Sequence, residues 1–208
     1  LRVTALRKRN DGKIWICAGM QGVYIGDPGT LDIVKFTKCP PANIWDIAET
    51  TDGSVAYAAA DSGFYYLDTR TGETSHYTRD PLDPKSAPYM GVSVLVDTLD
   101  RIWIATHGGL ELFNPQEKSF RHYPTKSQVL KILENPEGNL WLGCLDGLYS
   151  FNPANGDLDK MPNDFLVLSM TRDRQGSLWV GSMYGLQQLH TKHRKLTVSN
   201  RFGAHVGS

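Results

Sequence analysis

Short apolar runs alternate with polar turns along the whole chain, and residues 129–161 show this arrangement most clearly. The runs there are Val129–Leu133, Asn139–Gly143, Gly147–Phe151 and Leu158–Met161. Each is bounded by residues such as Asn, Pro, Asp and Gly, which favour turns. Apolar runs of this length predict β-strands, whereas no segment keeps a helical period over three turns. The pattern therefore predicts an all-β protein.

The same order of four runs returns five times. In most units a turn containing Gly leads into a run with a Trp at its centre, and a second Gly begins the next run. The five anchor positions, which are 41, 47, 38 and 38 residues apart, are Trp15, Ala56, Trp103, Trp141 and Trp179. Units of about forty residues with four short strands are typical of β-propeller blades. We expect one β-propeller domain over residues 1–208, with five four-stranded antiparallel blades.

The predicted blade boundaries follow from the turns. The blades cover approximately residues 1–38, 43–79, 90–124, 128–161 and 165–199, and residues 200–208 form a tail or a link to a further blade. First strands are expected at Val3–Leu6, Ile44–Ala48, Val92–Val96, Val129–Leu133 and Leu166–Met170. Outer strands are expected at Ile33–Phe36, Ser75–Tyr77, Phe120–Tyr123, Leu158–Met161 and Leu196–Ser199.

The number of blades leaves two arrangements open. Propellers commonly have four to eight blades, so five could close into a ring. The first unit supplies its own first strand and the last unit its own outer strand, so no blade is built from both termini. We expect this segment to be part of a larger ring, with a self-closed ring of five blades as the alternative.

The anchor Trp has a structural interpretation. A large aromatic side chain on the second strand fills the space between neighbouring blade sheets. Where Ala56 replaces it, Tyr57 or Trp45 is expected to fill the gap. Asp97 and Glu134 lie at the ends of first strands and are expected to serve turn hydrogen bonds.

Composition excludes several classes of function. The 22 Lys and Arg residues balance the 22 Asp and Glu residues, so no net field favours nucleic acid or anionic lipid. No run approaches the roughly 20 apolar residues of a membrane span. The three cysteines show no metal-ligand spacing and form an odd set, so we expect no cofactor, and Cys17 and Cys144 are interpreted as small buried residues.

Three of the units resemble the two-component regulator propeller repeat. The family pattern reads Asp/Glu-x-Gly-x-Ile/Leu-Trp-Ile/Val, followed by Gly-Leu and a later Phe. The three units share with it an Ile/Leu-Trp-Ile/Leu/Val run, then Gly-Leu and a later apolar residue, and they are Arg101–Phe113, Glu137–Phe151 and Gln175–Leu189. The first unit matches loosely, and the second departs from the pattern at Ala56. The resemblance covers essentially the whole chain, although propeller repeats of other families share the Asp-Gly and Trp positions.

The resemblance implies a location and a function. Such repeats form the periplasmic sensor region of hybrid two-component histidine kinases, typically of Bacteroides-type bacteria, where seven-bladed propellers precede a membrane helix and a kinase. Those sensors recognise oligosaccharides. The resemblance thus implies a non-enzymatic sensing segment whose partners are an oligosaccharide, further blades of the parent chain and, in one arrangement, a second copy of the protein.

Two sets of loops are candidates for ligand contact, because propeller ligands usually meet loops on one face. The connections between second and third strands provide Gln21, Asp61, His107, Asp146 and Tyr184, and the connections entering first strands provide Trp45, Tyr89 and Phe165. Aromatic faces beside Asp, His and Gln suit the apolar faces and hydroxyl groups of sugars. For each of these residues, a role in a turn or in the core is the competing interpretation.

Two other classes of function compete with ligand sensing. A propeller lyase or hydrolase would need a His and an acid close together, for which His107 is the candidate and Asp146, at the equivalent turn of the next unit, is a possible partner. A scaffold that mediates only dimerisation or docking would instead carry a large exposed apolar patch.

Overall fold

The computed structural model describes residues 2–87, 90–190 and 195–198, which form twenty β-strands and no helix. The strands make five four-stranded sheets, and in each sheet the strands lie side by side in chain order. Each sheet is therefore one blade of a β-propeller, built from consecutive antiparallel hairpins. The predicted all-β fold with five four-stranded blades is confirmed.

The bounds of the strands are as follows. Sheet 1 contains β1 (Ala5–Lys8), β2 (Ile14–Cys17), β3 (Val23–Gly26) and β4 (Ile33–Lys35). Sheet 2 contains β5 (Ile44–Glu49), β6 (Val55–Ala59), β7 (Gly63–Asp68) and β8 (Glu73–Tyr77). Sheet 3 contains β9 (Gly91–Val96), β10 (Ile102–Thr106), β11 (Gly109–Asn114) and β12 (Ser119–Pro124). Sheet 4 contains β13 (Val129–Glu134), β14 (Leu140–Cys144), β15 (Gly147–Phe151) and β16 (Leu158–Lys160). Sheet 5 contains β17 (Val167–Arg172), β18 (Leu178–Ser182), β19 (Gly185–His190) and β20 (Lys195–Val198).

Some strand ends differ from the prediction. β1 begins at Ala5 rather than Val3, and the side chain of Val3 is half exposed. Met161 was expected to end the outer strand of the fourth unit, but it follows β16 and its buried side chain joins the core. Ser199 and the predicted tail at 200–208 lie outside the described residues.

The turn between first and second strands requires a left-handed backbone conformation. Gly12, Gly53, Gly138 and Gly176 occupy this position with φ values of 85°, 82°, 80° and 83°. Glycine adopts such angles without steric cost. In sheet 3 the position is taken by Asp100, at φ 62°, whose carboxylate accepts hydrogen bonds from N and Oγ1 of a threonine in sheet 2 at 2.8 and 3.0 Å.

The chain divides into two compact units, Leu1–Ile132 and Leu133–Ser208. In the first unit, apolar side chains pack between successive sheets. One cluster joins sheets 1 and 2 around Trp15 and Tyr57, and a second cluster joins sheets 2 and 3 around Phe64. The core of this unit is therefore divided into layers between sheets, as in an array whose repeats contact their neighbours.

The second unit begins at Leu133, within β13, and is built in the same way from the rest of sheet 4 and from sheet 5. Trp141 and Leu148 of sheet 4 pack against Val167 and Leu178 of sheet 5 in one cluster. Trp15 and Trp141 thus confirm that anchor tryptophans fill the space between sheets.

The interpretation of Ala56 is corrected by the packing. Neither Tyr57 nor Trp45 fills the space that a Trp would occupy at this position. Tyr57 belongs to the cluster on the opposite side of β6, because successive residues of a strand point to opposite faces. The residue paired with Ala56 across the hairpin is Tyr66, whose ring lies 5.5 Å from that of Phe113. Phe64 belongs to the same cluster as Ala56 and packs against Phe113 with ring centroids 4.8 Å apart.

Cys17 and Cys144 are both fully buried, as predicted. Burial raises the pKa of the Cys17 thiol far above its usual range and that of Cys144 to about 12. Both side chains are therefore neutral thiols at physiological pH and serve as small apolar residues.

Candidate functional site

Three of the first strands, β5, β9 and β17, contain a β-bulge near their start. In β5, Ile44 and Asp46 pair with adjacent residues of β6, so Trp45 is an extra residue in a β-bulge. β9 has the same bulge at Val92, and β17 has it at Leu168. A bulge turns a side chain out of the regular alternation of the sheet. These positions therefore present side chains that a regular strand would turn to the other face.

In the first unit, the bulge residues line a cavity of about 340 Å³. Its walls come from the start of three first strands and from the segment before β1, and its lining residues are Arg2, Val3, Thr4, Trp45, Val92, Leu130 and Lys131. We call this the Trp45 cavity. It combines one partly exposed aromatic side chain, an aliphatic wall and two basic residues.

Asp46 anchors the strand that carries Trp45. Its side chain is 0% exposed, and its Oδ2 accepts from Arg7 Nη2 at 2.6 Å and from Ser93 Oγ at 2.7 Å. The N–H of Val94 adds a third hydrogen bond at 3.2 Å. This one carboxylate therefore ties β1, β5 and β9 together directly behind the Trp45 cavity.

Lys131 is a second charged residue near Asp46, and it lines the Trp45 cavity. It follows Leu130 on β13, is partly buried, and has no hydrogen bond or ion pair with any residue that the structure describes. Burial lowers the pKa of its ammonium group, the negative charge of Asp46 opposes this effect, and Arg7 adds to it.

A second cavity, of about 370 Å³, lies between residues 79–87, Met90 and the end of β10. We call this the His122 cavity. Glu111, whose side chain is 6% exposed, contacts His122 Nδ1 through Oε2 and accepts from Thr106 Oγ1 at 3.3 Å. Burial raises the pKa of Glu111, and the neighbouring His122 opposes that rise. His107 also lines this cavity.

The predicted site residues are not gathered in one place. In the first unit, Trp45 and His107 line the two different cavities. The backbone N–H of Gln21 closes a turn with Ala18 O at 3.1 Å, and Asp61 accepts from Ser62 Oγ at 3.0 Å on an exposed turn. Tyr89 lies outside the described residues.

The remaining three candidates belong to the second unit. Asp146 accepts from the hydroxyl of Tyr149 at 2.7 Å and lies 3.5 Å from Lys160 Nζ. Phe165 packs against the core, which agrees with its structural interpretation. Tyr184 is 79% exposed on the turn between β18 and β19.

Three residues that line the two cavities, Glu111, His122 and Lys131, were not singled out from the sequence, and neither was the buried Asp46. A signal was present for two of them, because Lys131 interrupts the apolar run 129–133 and Glu111 interrupts the run 109–113. A charged residue within a predicted buried strand needs a partner or a function. The partners themselves come from other sheets or strands and carry no local signal.

Within residues 2–87, 90–190 and 195–198, no helix has the length and apolar character needed to cross a membrane. Across the same residues, no cluster of three or more His, Cys, Asp and Glu side chains is placed to hold a metal ion.

Comparison with known proteins supports the sequence resemblance. Residues 160–184 match the family model described as two component regulator propeller. The predicted recognition of this repeat is therefore confirmed. A comparison with curated protein sequences gives no match.

Solved structures share the fold at low sequence identity. A structure described as the extracellular domain of the hybrid two component system BT3049 from B. thetaiotaomicron is 18% identical, with a TM-score of 0.75 over 94% of this chain and 29% of that chain. A second, BT4673 from the same organism, is 15% identical, with a TM-score of 0.72 over 94% and 33%. Virginiamycin B lyase from Staphylococcus aureus is 16% identical, with a TM-score of 0.72 over 94% and 69%.

The fold and the repeat together define the class of protein: a β-propeller. Within that class, the chain carries a two-component regulator propeller repeat and shares its fold with extracellular domains of hybrid two-component systems. It spans about a third or less of the length of those two chains.

Proposed function

We propose that this chain is a segment of an extracytoplasmic sensor that recognises an oligosaccharide and performs no catalysis itself. The observation that carries the proposal is the Trp45 cavity, in which a β-bulge presents an aromatic side chain beside aliphatic and basic residues. Ligand sites in proteins are concave and largely apolar, with a few polar groups that orient the ligand.

The chemistry of the cavity suits a sugar. The partly exposed face of Trp45 offers a flat surface for the C–H groups of a pyranose. Its indole N–H donates to none of the residues that the structure describes, so it is available to a hydroxyl group. Asp46 makes three hydrogen bonds or ion pairs behind the bulge, and these contacts hold Trp45 in position before any ligand arrives.

The cellular context is part of the same proposal. We place the chain in the periplasm, within a larger ring of seven blades, in a parent protein that relays binding to a histidine kinase. The support is the match at residues 160–184 and the fold shared with extracellular domains of hybrid two-component systems. A homodimer of the parent protein is compatible with this arrangement.

The test is proton NMR of mixed plant and host oligosaccharides before and after the protein is added. We expect selective line broadening of one sugar or a small group of sugars. Trp45→Ala should weaken that binding about tenfold or more, because it removes the stacking surface. Tyr184→Ala, which truncates an exposed aromatic side chain outside the cavity, is the matched control and should leave binding unchanged. Loss of binding in the control alone would move the site to the second unit.

A second candidate function rests on the Glu111–His122 pair. A carboxylate that contacts one ring nitrogen of a histidine fixes its tautomer, so that the other nitrogen is available for acid–base chemistry. An enzyme at the His122 cavity would produce new anomeric or unsaturated signals in the same NMR experiment. Those signals should vanish in His122→Ala and Glu111→Gln, and their appearance would contradict the non-catalytic proposal.

A further inference from the structure

The Trp45 cavity carries more positive charge than its neighbours balance. Arg2 and Lys131 line it, and Arg7 lies directly behind it. The acid of the network is Asp46, and its carboxylate already receives Arg7, Ser93 and the backbone N–H of Val94. The cavity is therefore left with two basic side chains and no acidic residue among its lining.

Lys131 indicates which kind of ligand would balance this excess of positive charge. An ammonium group that is partly removed from water is unfavourable unless an anion or several acceptors compensate. Lys131 forms no hydrogen bond or ion pair with any described residue, although the Asp46 carboxylate is near enough to favour its charged form. Burial also lowers the pKa of its ammonium group, and the charge of Asp46 opposes this effect. An anion bound in the cavity would remove this cost.

We propose that the Trp45 cavity binds an acidic saccharide, with the anionic group of the sugar against Lys131 and its apolar face against Trp45. The inference rests on the proposed function, since it names the class of oligosaccharide that the sensor would recognise. Arg2 is exposed at the same cavity and adds a second basic contact from the solvent side.

The anionic group could be a carboxylate or a sulfate. Lysine recognises either as a point charge, whereas a bidentate arginine would favour a planar or tetrahedral group by geometry. The shared chemistry is a singly charged oxyanion on a sugar ring, and the experiment separates the two sources.

The experiment uses the 208-residue chain and two matched libraries. The acidic library contains oligosaccharides from pectin, alginate and sulfated host glycosaminoglycans. The neutral library is the same material after carboxyl reduction and desulfation, and two intermediate preparations carry only one of these treatments. Line broadening identifies the bound sugars, and isothermal titration calorimetry gives their dissociation constants.

The proteins compared are the wild type, Lys131→Met and Lys8→Met. Both substitutions remove an ammonium group from a first strand and keep most of the aliphatic stem, but Lys8 is exposed and does not line the cavity. We expect the acidic member of a pair to bind about 10- to 100-fold more tightly than its neutral counterpart, as for a hydrogen bond to a charged group. Lys131→Met should abolish that preference, and Lys8→Met should retain it.

The other outcomes contradict either the inference alone or both the inference and the proposed function. If the neutral library binds equally well and Trp45→Ala abolishes its binding, the proposed function stands and the inference is wrong. If the preference for acid persists in Lys131→Met, another basic group is responsible and the inference is also wrong. If neither library binds, the inference and the proposed function both fail.

Discussion

Trp103 Nε1 donates a 2.8 Å hydrogen bond to Oδ2 of Asp97, which lies six residues earlier in the chain. The other oxygen of this carboxylate accepts from two backbone N–H groups of the turn that joins β9 to β10. In sheet 5, Trp179 and Asp173 repeat the indole bond at 2.8 Å. One carboxylate thus couples the first turn of the blade to the anchor Trp, and the expectation that Asp97 serves turn hydrogen bonds is confirmed.

In sheets 1 and 4 a different residue takes the position that Asp97 has in sheet 3. In sheet 1 the equivalent position is Arg9, whose guanidinium lies 4.1 Å from the centre of the Trp15 ring. The Trp15 indole instead donates to Glu49 Oε2 of the next sheet at 3.4 Å. In sheet 4 the position is Asn135, whose Oδ1 accepts from two turn N–H groups at 3.0 and 2.8 Å.

Replacing Asp97 by Ala should destabilise the protein markedly. Trp103 is 0% exposed, so its indole N–H would lose the Asp97 acceptor at a place that water does not reach. We expect a loss of about 2 to 3 kcal/mol in the free energy of unfolding, measured by urea denaturation. Asp68→Ala is the control, because that carboxylate pairs with Arg70 on an exposed turn and should contribute much less to stability. Equal losses in the two variants would show that the buried indole bond has no special importance.

The Asp173 carboxyl should titrate below its usual range. The hydrogen bond from Trp179 is the largest cause that lowers its pKa, two turn N–H groups add to it, and desolvation opposes it. Because the folded pKa is lower than the unfolded value near 3.8, the stability from this group is present above that pH. It is lost as the pH falls through the folded pKa.

Carbon-13 NMR of the carboxyl groups tests this directly. Trp179→Phe should move the pKa of Asp173 upward towards 3.8. Asp27, whose pKa is lowered by the N–H groups of Gly29 and Thr30, should not respond to the same substitution. An unchanged Asp173 titration in Trp179→Phe would mean that the turn N–H groups account for the whole shift.

The blades could be predicted from the sequence because each strand is short, apolar and ended by a residue with a local preference. Gly138, for example, is read correctly as a turn residue from its neighbours alone, and it adopts φ 80°. The packing around Ala56 could not be read in this way. Its neighbours in the cluster, Tyr66 and Phe64, lie on another strand, and both pack against Phe113 of the next sheet.

The candidate site was predictable only in part. The sequence predicts Trp45 as a candidate for ligand contact because it enters a first strand, and the structure places it in a cavity. The bulge that turns it there depends on the pairing of β5 with β6, which no local pattern specifies. Lys131 lies on a strand of a different sheet from Trp45. Only the fold brings the two residues to the same cavity.

Restoring the repeat residue at Ala56 should destabilise the protein rather than improve it. Ala56 is 0% exposed and packs in the cluster of Phe64 and Phe113, so an indole would overfill that space. We expect Ala56→Trp to lower the free energy of unfolding by about 1 to 3 kcal/mol. Thermal and urea unfolding of the single variant provide the measurement.

A double variant shows whether volume is the cause. Phe64→Ala alone should lose about 3 to 5 kcal/mol through the cavity it leaves. If the indole and the phenyl ring compete for one space, Ala56→Trp combined with Phe64→Ala should be more stable than the sum of the two losses predicts. Strict additivity would show that the two side chains occupy separate spaces.

Removing the Asp46 carboxylate should disturb both stability and the Trp45 cavity. Asp46→Ala leaves Arg7 without its ion pair and takes the shared acceptor from Ser93 and Val94 N. Loss of one partner of a fully buried pair costs about 3 to 5 kcal/mol, and we expect about 2 kcal/mol here because the Arg7 side chain is 39% exposed. Asp11→Ala, which breaks an exposed pair with Arg9, should cost less than about 1 kcal/mol.

The fluorescence of Trp45 distinguishes a local role of Asp46 from a general loss of stability. Because Asp46 is the next residue after the bulge, its loss should change the environment of Trp45 at temperatures where the protein is still folded. The fluorescence of Trp45, obtained as the difference between each protein and its Trp45→Phe counterpart, should therefore shift in Asp46→Ala and stay constant in Asp11→Ala. A stability loss without that shift would mean that the ion pair joins the first strands but does not position Trp45, and the cavity would then owe its shape to the bulge alone.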